Sequence, residues 1–238
     1  NMLPLLKANK VNNETLGITA ELLICGEFDL EYPSEFRERY SANIAIGLRP
    51  AVREAFRQLP KPVEYTGKDS GSRGGSSKCP YDFILEGGKT LSLKTNYGKM
   101  VCPPEVGQPG AETCLMYFKD YLDGNQVTED SFKRMVFNHI ADIIPIYVSH
   151  LFDSDYLLRI KESDSKRKAY SFTITEKAKG STFEWNPELF SFTKGTIEEW
   201  NESNTVRYNG TTLGEFQVHK HRNCYKFRFN FDNLLSIL

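Results

Sequence analysis

The sequence predicts an α/β protein, with helices and a β-hairpin in the N-terminal half and mostly strands after about residue 150. Three observations carry this. Apolar residues recur at helical spacing over residues 14–25 and every fourth residue over 35–59. Two apolar runs flank Gly87-Gly88, a hairpin signal. The last third alternates polar and apolar residues in short runs rich in aromatics and β-branched side chains.

The first helix follows Asn12-Asn13, which can cap it, and covers 14–25. The second spans 35–59, where Phe36, Tyr40, Ile44, Leu48, Val52 and Phe56 form one stripe. Pro50, lacking an N–H, implies a kink or break, and Pro60-Lys61-Pro62 ends the helix. Residues 66–78 form a Gly/Ser loop too polar to pack, expected to be mobile or held by a partner. Residues 81–85 and 90–95 pair as strands around Glu86-Gly87-Gly88-Lys89. Residues 111–122 and 129–149 read as helices, the second with an internal Pro145, and 170–174, 215–219 and 225–229 as strands, with Asn209-Gly210 as a turn. There is no internal repeat and no clean linker. One domain over 1–238, or two closely fused lobes, with a core over about 10–150 and a β-rich part over about 151–238, fits this pattern.

The chain has 238 residues, 39% of them hydrophobic, enough to build a core without staples. Collagenous, disordered and disulfide-stapled classes are excluded. No apolar run approaches the roughly 18 residues that cross a bilayer, and the first residues lack the pattern of a secretory leader, so a cytoplasmic protein is expected. Five widely spaced cysteines fit neither a disulfide framework nor a zinc site and are read as buried thiols. Lys and Arg number 30 against 31 Asp and Glu, which argues against non-specific coating of nucleic acid. The charge is segregated, however. Residues 61–100 hold seven basic and four acidic side chains, and 101–160 hold four and nine. Residues 216–230 carry Lys220, Arg222, Lys226, Arg228, His219 and His221 with no carboxylate. Localised positive segments on a neutral chain imply a localised anionic partner.

Chemistry concentrates in residues 74–96. Asp82 at a strand start and Lys94 on the neighbouring strand suit metal-assisted hydrolysis: a divalent cation held by Asp82 and a backbone carbonyl near Leu93, with Lys94 offsetting developing charge. The preceding loop offers Lys68, Arg73, Ser76, Ser77 and Lys78 to a phosphate backbone. Hairpin parity constrains this reading. A two-residue Gly87-Gly88 turn sets Asp82 opposite Leu93 and sends Lys94 to the other face, whereas a three-residue loop of Gly87, Gly88 and Lys89 pairs Asp82 with Lys94. Glu21 lies among Leu16, Ala20, Leu22, Leu23 and Ile24, where an acid is costly unless paired or ligating.

Pro80-Tyr81-Asp82 and Ser92-Leu93-Lys94 resemble the motif of the PD-(D/E)xK nucleases, and within them the type II restriction endonucleases, over about forty residues. Ser92 stands where that motif has its second acid, and Tyr81 separates Pro80 from Asp82. The resemblance implies a restriction-endonuclease-like core, a central mixed sheet flanked by helices, with a β-rich recognition part. It implies Mg²⁺-dependent hydrolysis of double-stranded DNA at a short sequence, with Asp82, Lys94, Ser92 and Glu21 as catalytic residues. Glu21, Glu112 and Glu105, in that order, are candidates for the missing acid. Asn96, Gln217, His219, Lys220 and Arg222 are expected to contact DNA. A homodimer on a palindromic site and a cognate DNA methyltransferase are further expectations. Two other readings stay open: a DNA-recognition module that does not cut, favoured by Ser92 in the acid position, and a metal-independent Ser92–Lys94 hydrolase pair.

Overall fold

Helix α1 (Asn13–Phe28) buries Leu16, Ile18, Ala20, Leu22, Leu23, Ile24 and Cys25, so it is apolar nearly all round and packs between neighbours. The computed structural model describes residues 13–67, 79–107, 110–124, 126–219 and 221–238. The single helix expected over 35–59 is two elements. A 3-10 turn, Ser34–Arg39, is followed by extended Tyr40, and Ser41 caps α2 (Ala42–Gln58) by accepting from the Ile44 N–H at 3.3 Å. The break therefore falls at Tyr40 and not at Pro50. Pro50 lies exposed inside α2, on the solvent side, where water can serve the carbonyl that its missing N–H leaves unpaired.

The described residues form ten strands: β1 (Pro62–Tyr65), β2 (Phe83–Leu85), β3 (Thr90–Asn96), β4 (Met100–Val101), β5 (Tyr156–Asp164), β6 (Ala169–Glu176), β7 (Phe190–Phe192), β8 (Ser203–Tyr208), β9 (Thr211–His219) and β10 (Cys224–Asn230). They build two sheets. The first, β1-β2-β3-β5-β6, is mixed, because β3 and β5 run parallel and the other pairs antiparallel. The second, β4-β10-β9-β8-β7, is antiparallel throughout. Helices α1 and α2 bury Leu16, Ile24, Leu48 and Val52 with Phe83, Leu91, Leu93, Leu158 and Ile160 of the first sheet. A separate, aromatic core joins α3 (Ala111–Phe118) and α4 (Glu129–Leu151) to the second sheet through Phe118, Phe132, Tyr147, Trp200, Phe216 and Phe227. The chain is thus α/β, with helices flanking a mixed sheet. The β8–β9 turn is Asn209-Gly210 at φ 48° and 80°, as the sequence implies.

The boundary expected near residue 150 does not follow the sheets: β5 and β6 complete the first one, and β4 belongs to the second. Three cysteines, Cys25, Cys114 and Cys224, are buried as read; Cys102 is exposed and Cys79 intermediate, and all five are free thiols. Among the described residues no helix is long and apolar enough to cross a membrane.

Arg159 on β5 is buried between the layers. Its guanidinium donates to Asp232 Oδ1 at 2.8 Å, to Asn96 Oδ1 at 3.3 Å and to the Gly98 carbonyl at 3.3 Å, and it lies over the Phe231 ring. Asp232 lies in the first turn of α5 (Phe231–Ile237), so the network ties the C-terminal helix to the first sheet. It also uses up Asn96, which is buried and whose amide donates to the Met100 carbonyl; its expected role as a DNA contact is corrected to a structural one. Asp232→Asn leaves Arg159 buried among neutral acceptors and should cost about 1–3 kcal/mol. Equilibrium urea unfolding measures this, and a midpoint equal to wild type contradicts it.

Candidate active site

The hairpin closes through the three-residue loop Glu86-Gly87-Gly88, with Gly87 and Gly88 at φ 80° and 77° and the Leu85 N–H donating to the Lys89 carbonyl at 2.7 Å. Phe83 pairs with Leu91 and Ile84 with Thr90; one step further, this register sets Asp82 level with Ser92 and not with Lys94, as a loop of residues 87–89 requires. The loop is odd in length but shifted by one residue, because Lys89 is extended and its carbonyl closes the ladder, while both glycines inside the loop take the left-handed conformations that side chains disfavour. Strand β2 stops at Phe83, and Asp82 departs from the ladder. Its N–H donates to the Leu91 carbonyl at 2.9 Å, while its carboxylate Oδ2 accepts from the Leu93 N–H at 2.7 Å, where the next backbone carbonyl of a regular strand belongs. The Tyr81 carbonyl accepts from the Thr66 hydroxyl instead, at 2.8 Å. This bulge-like departure turns Asp82 from the face it would share with Ser92 toward α1.

On α1, Glu21 is the acid that meets it. The two carboxyls hydrogen-bond to each other, and the buried Tyr65 hydroxyl donates to Glu21 Oε2 at 3.1 Å. Tyr65 packs so tightly against Gly67 that a Cβ there would lie 2.6 Å from its hydroxyl. A cleft of about 460 Å³ opens beside Glu21, lined by Glu14, Gly17 and Glu21 of α1, Arg39, Tyr65 and Lys94.

Burial is the largest influence on Glu21, followed by the Asp82 charge; together they raise its carboxyl from the ordinary range to about 8, against the pull of the Tyr65 hydroxyl and of Lys94. Burial likewise raises Asp82, opposed by the Leu93 N–H, by Lys94 and by the bond to Glu21. Near neutral pH the pair therefore holds one proton between two carboxyls. The same surroundings keep Tyr65 protonated and push the Cys25 thiol up to about 12, by burial first and then by Glu21. Two desolvated carboxyls sharing a proton fit a hard divalent cation, whose charge stabilises both as carboxylates. The Leu93 carbonyl points to the same strand edge as its N–H, toward Asp82. These are oxygen donors, as Mg²⁺ requires. Among the described residues no group of three or more His, Cys, Asp or Glu side chains offers another centre.

The remaining candidates separate. Ser92 is buried, donates to the Pro80 carbonyl at 3.2 Å and shares a bond of 2.5 Å with the Ser154 hydroxyl, so it adds no oxygen to the pair. Glu112 is exposed on α3, whose buried residues pack in the aromatic core, and Glu105 accepts from the Tyr117 hydroxyl at 3.0 Å in that same layer; neither reaches Asp82. On the outer face of the second sheet Gln217 donates to Glu215 Oε1 at 2.6 Å and is level with Lys226 and Ser203. His219 lies 3.7 Å from Glu202, and Arg222 is exposed in the β9–β10 turn. Lys68, Arg73, Ser76, Ser77, Lys78 and Lys220 lie outside the described residues. Sequence reasoning passed over Tyr65 and Arg39; the alternation of Val63 and Tyr65 after Pro62 was the available signal for the first, and nothing local marks the second.

No family model matches this chain, and no solved structure matches it. It is similar to a type II restriction enzyme. That protein, CviAII of Paramecium bursaria Chlorella virus 1, is 27% identical over 226 residues, which is 94% of this chain. The chain spans 60% of that relative's length.

The shared proton has a measurable consequence. Glu21 holds its proton to about pH 8 when folded against 4.5 as its ordinary value, so the folded state binds more protons between these limits and stability falls as pH rises through them. Glu21→Gln removes that loss. In EDTA the variant should melt above wild type at pH 9, by on the order of 5 °C, with the gap closing toward pH 5. A gap independent of pH contradicts the shared proton.

Proposed function

We propose that this chain is a type II restriction endonuclease, hydrolysing phosphodiester bonds of double-stranded DNA at a short specific sequence with Mg²⁺. The observation that carries the reading is the half-buried Glu21–Asp82 pair beside Lys94, at a strand edge opening into a cleft. The Ser92-Leu93-Lys94 pattern and the likeness to a type II restriction enzyme support it. Asp82, Glu21 and the Leu93 carbonyl would hold the cation. When bound, it supplies Lewis-acid polarisation of a phosphate oxygen and acidifies a nearby water.

The side chains divide the rest of the work. The Leu93 N–H fixes one Asp82 oxygen, and the Tyr65 hydroxyl fixes one Glu21 oxygen, leaving the other oxygen of each carboxyl for the centre. Holding the cation through both carboxylates would require the shared proton to pass to solvent. Lys94 offers its ammonium to the negative charge that grows on phosphate. Outside the cleft, Gln217, His219, Lys226 and Arg222, on one face and end of the second sheet, suit base edges and phosphates in a groove. A homodimer on a palindromic site and a cognate methyltransferase complete the proposal.

The non-cleaving alternative has Ser92 in its favour, and one assay separates the two: plasmid incubated with Mg²⁺ and with EDTA. Linear or nicked product in Mg²⁺ alone supports the nuclease, and intact plasmid in both supports the recognition module. The Ser–Lys hydrolase loses ground because the Ser92 hydroxyl is engaged by Pro80 and Ser154.

Asp82→Ala should abolish cleavage while DNA affinity stays within about tenfold, since phosphate contacts elsewhere carry most of the binding. Lys94→Ala should do the same; parallel loss of binding and cleavage would make Lys94 a phosphate contact. In a Mg²⁺ titration of cleavage, Glu21→Gln should need far more metal or fail, and Glu112→Gln should follow wild type. The reverse order would move the second acid to α3.

A further inference from the structure

We propose that Arg39 binds a DNA phosphate flanking the one at the Glu21–Asp82 pair, and that Glu14 occupies Arg39 until DNA displaces it. This rests on the nuclease reading for the identity of the ligand. Glu14, Gly17, Ile18 and Glu21 fall at i, i+3, i+4 and i+7 on α1 and line one wall of the cleft. Two helical turns, roughly 10 Å, separate Glu14 from Glu21 along the axis. Arg39, on the 3-10 turn, lines the same cleft against Glu14 and is therefore at the Glu14 end, away from the carboxyl pair.

Arg39 is positioned in advance. It ends the 3-10 turn whose Phe36 is buried against α1 and α2, and its guanidinium lies over the Phe36 ring at 5.1 Å. The partner that holds it is weak. Arg39 Nη1 meets Glu14 Oε1 at 2.7 Å, but the side chains are 44% and 67% exposed, and solvent screening leaves such pairs little net strength. A guanidinium fork receives phosphate and carboxylate oxygens alike, so the Glu14 carboxylate stands where a phosphate oxygen would. The cleft also needs such a cation. Glu14 and Glu21 line it with acid, Asp82 lies against Glu21, and a polyanion entering that field meets repulsion unless Arg39 and Lys94 offset it.

The alternative reading is a surface ion pair tying the 3-10 turn to α1. Binding of a fluorescein-labelled mixed-sequence duplex in EDTA, over a series of NaCl concentrations, separates the two, with melting temperatures measured alongside. Arg39→Gln should weaken binding and lower the slope of log K against log [NaCl] by about one, as loss of one phosphate contact requires. Arg39→Lys should restore the slope. Glu14→Gln should tighten binding by about two- to fivefold, the worth of an exposed pair, and the gain should vanish in the Glu14→Gln, Arg39→Gln double variant. An unchanged slope in Arg39→Gln, or a Glu14→Gln gain that survives without Arg39, overturns the proposal. Cleavage by wild type with an unchanged Arg39→Gln slope defeats this inference and leaves the nuclease standing; a wild type that does not bind duplex defeats both.

Discussion

The hydrogen bond from the Leu93 N–H to the Asp82 carboxylate is the contact on which the rest of the site is built. In a regular hairpin that N–H meets a backbone carbonyl, and the strand runs on with its side chains alternating. Here the side chain takes the position, so β2 ends at Phe83, the Tyr81 carbonyl turns to Thr66, and the Asp82 carbonyl is free to accept from the Thr66 and Gly67 N–H groups at 2.8 and 3.2 Å. Those bonds bring the end of β1 and the start of the following loop against Asp82, and with them Tyr65. One substitution of side chain for main chain thereby sets the acid, its neighbour's hydroxyl donor and the edge beside Leu93.

The arrangement is electrostatically strained. Helix α1 is buried on most sides because it packs on both α2 and β3, so any acid on its β3-facing side is desolvated. Placing Asp82 against Glu21 adds repulsion to desolvation, and a shared proton is the least costly resolution near neutral pH. A packed apolar pair would make a more stable protein. Local cost of this kind is what functional sites carry when charge must be ready for a ligand that brings the opposite charge.

Much of this was legible because its signals are local. An acid inside the apolar run of 14–25 marks Glu21, and a carboxylate at a strand start beside a Gly-Gly loop marks Asp82. The helices and the Asn209-Gly210 turn follow from periodicity and turn chemistry. What escaped depends on partners distant in the chain. Asn96 reads as an exposed polar residue until Arg159, 63 residues on, is seen to claim it. Ser92 reads as a catalytic residue until Ser154 and Pro80 enclose it. Strand β5 is apolar at Leu157, Leu158 and Ile160 because both its faces are covered, so it lacks the alternation that flags a half-buried strand. The register slip came from assigning Lys89 to the loop when its carbonyl in fact closes the ladder.

Ending β2 at Phe83 has one more effect. Among the described residues no strand pairs with β3 on that side beyond Leu91, which leaves a short length of sheet margin open. Exposed margins invite another chain to dock as an extra strand, the first step toward aggregation. This one is defended by the features of the candidate site: a bulge that breaks the flat ladder, a carboxylate already occupying one amide, and Lys94 lining the cleft beside it. A phosphate backbone brings no amide ladder, so neither the bulge nor the occupied amide would deter it, and the lysine would offset the repulsion that the carboxylate adds.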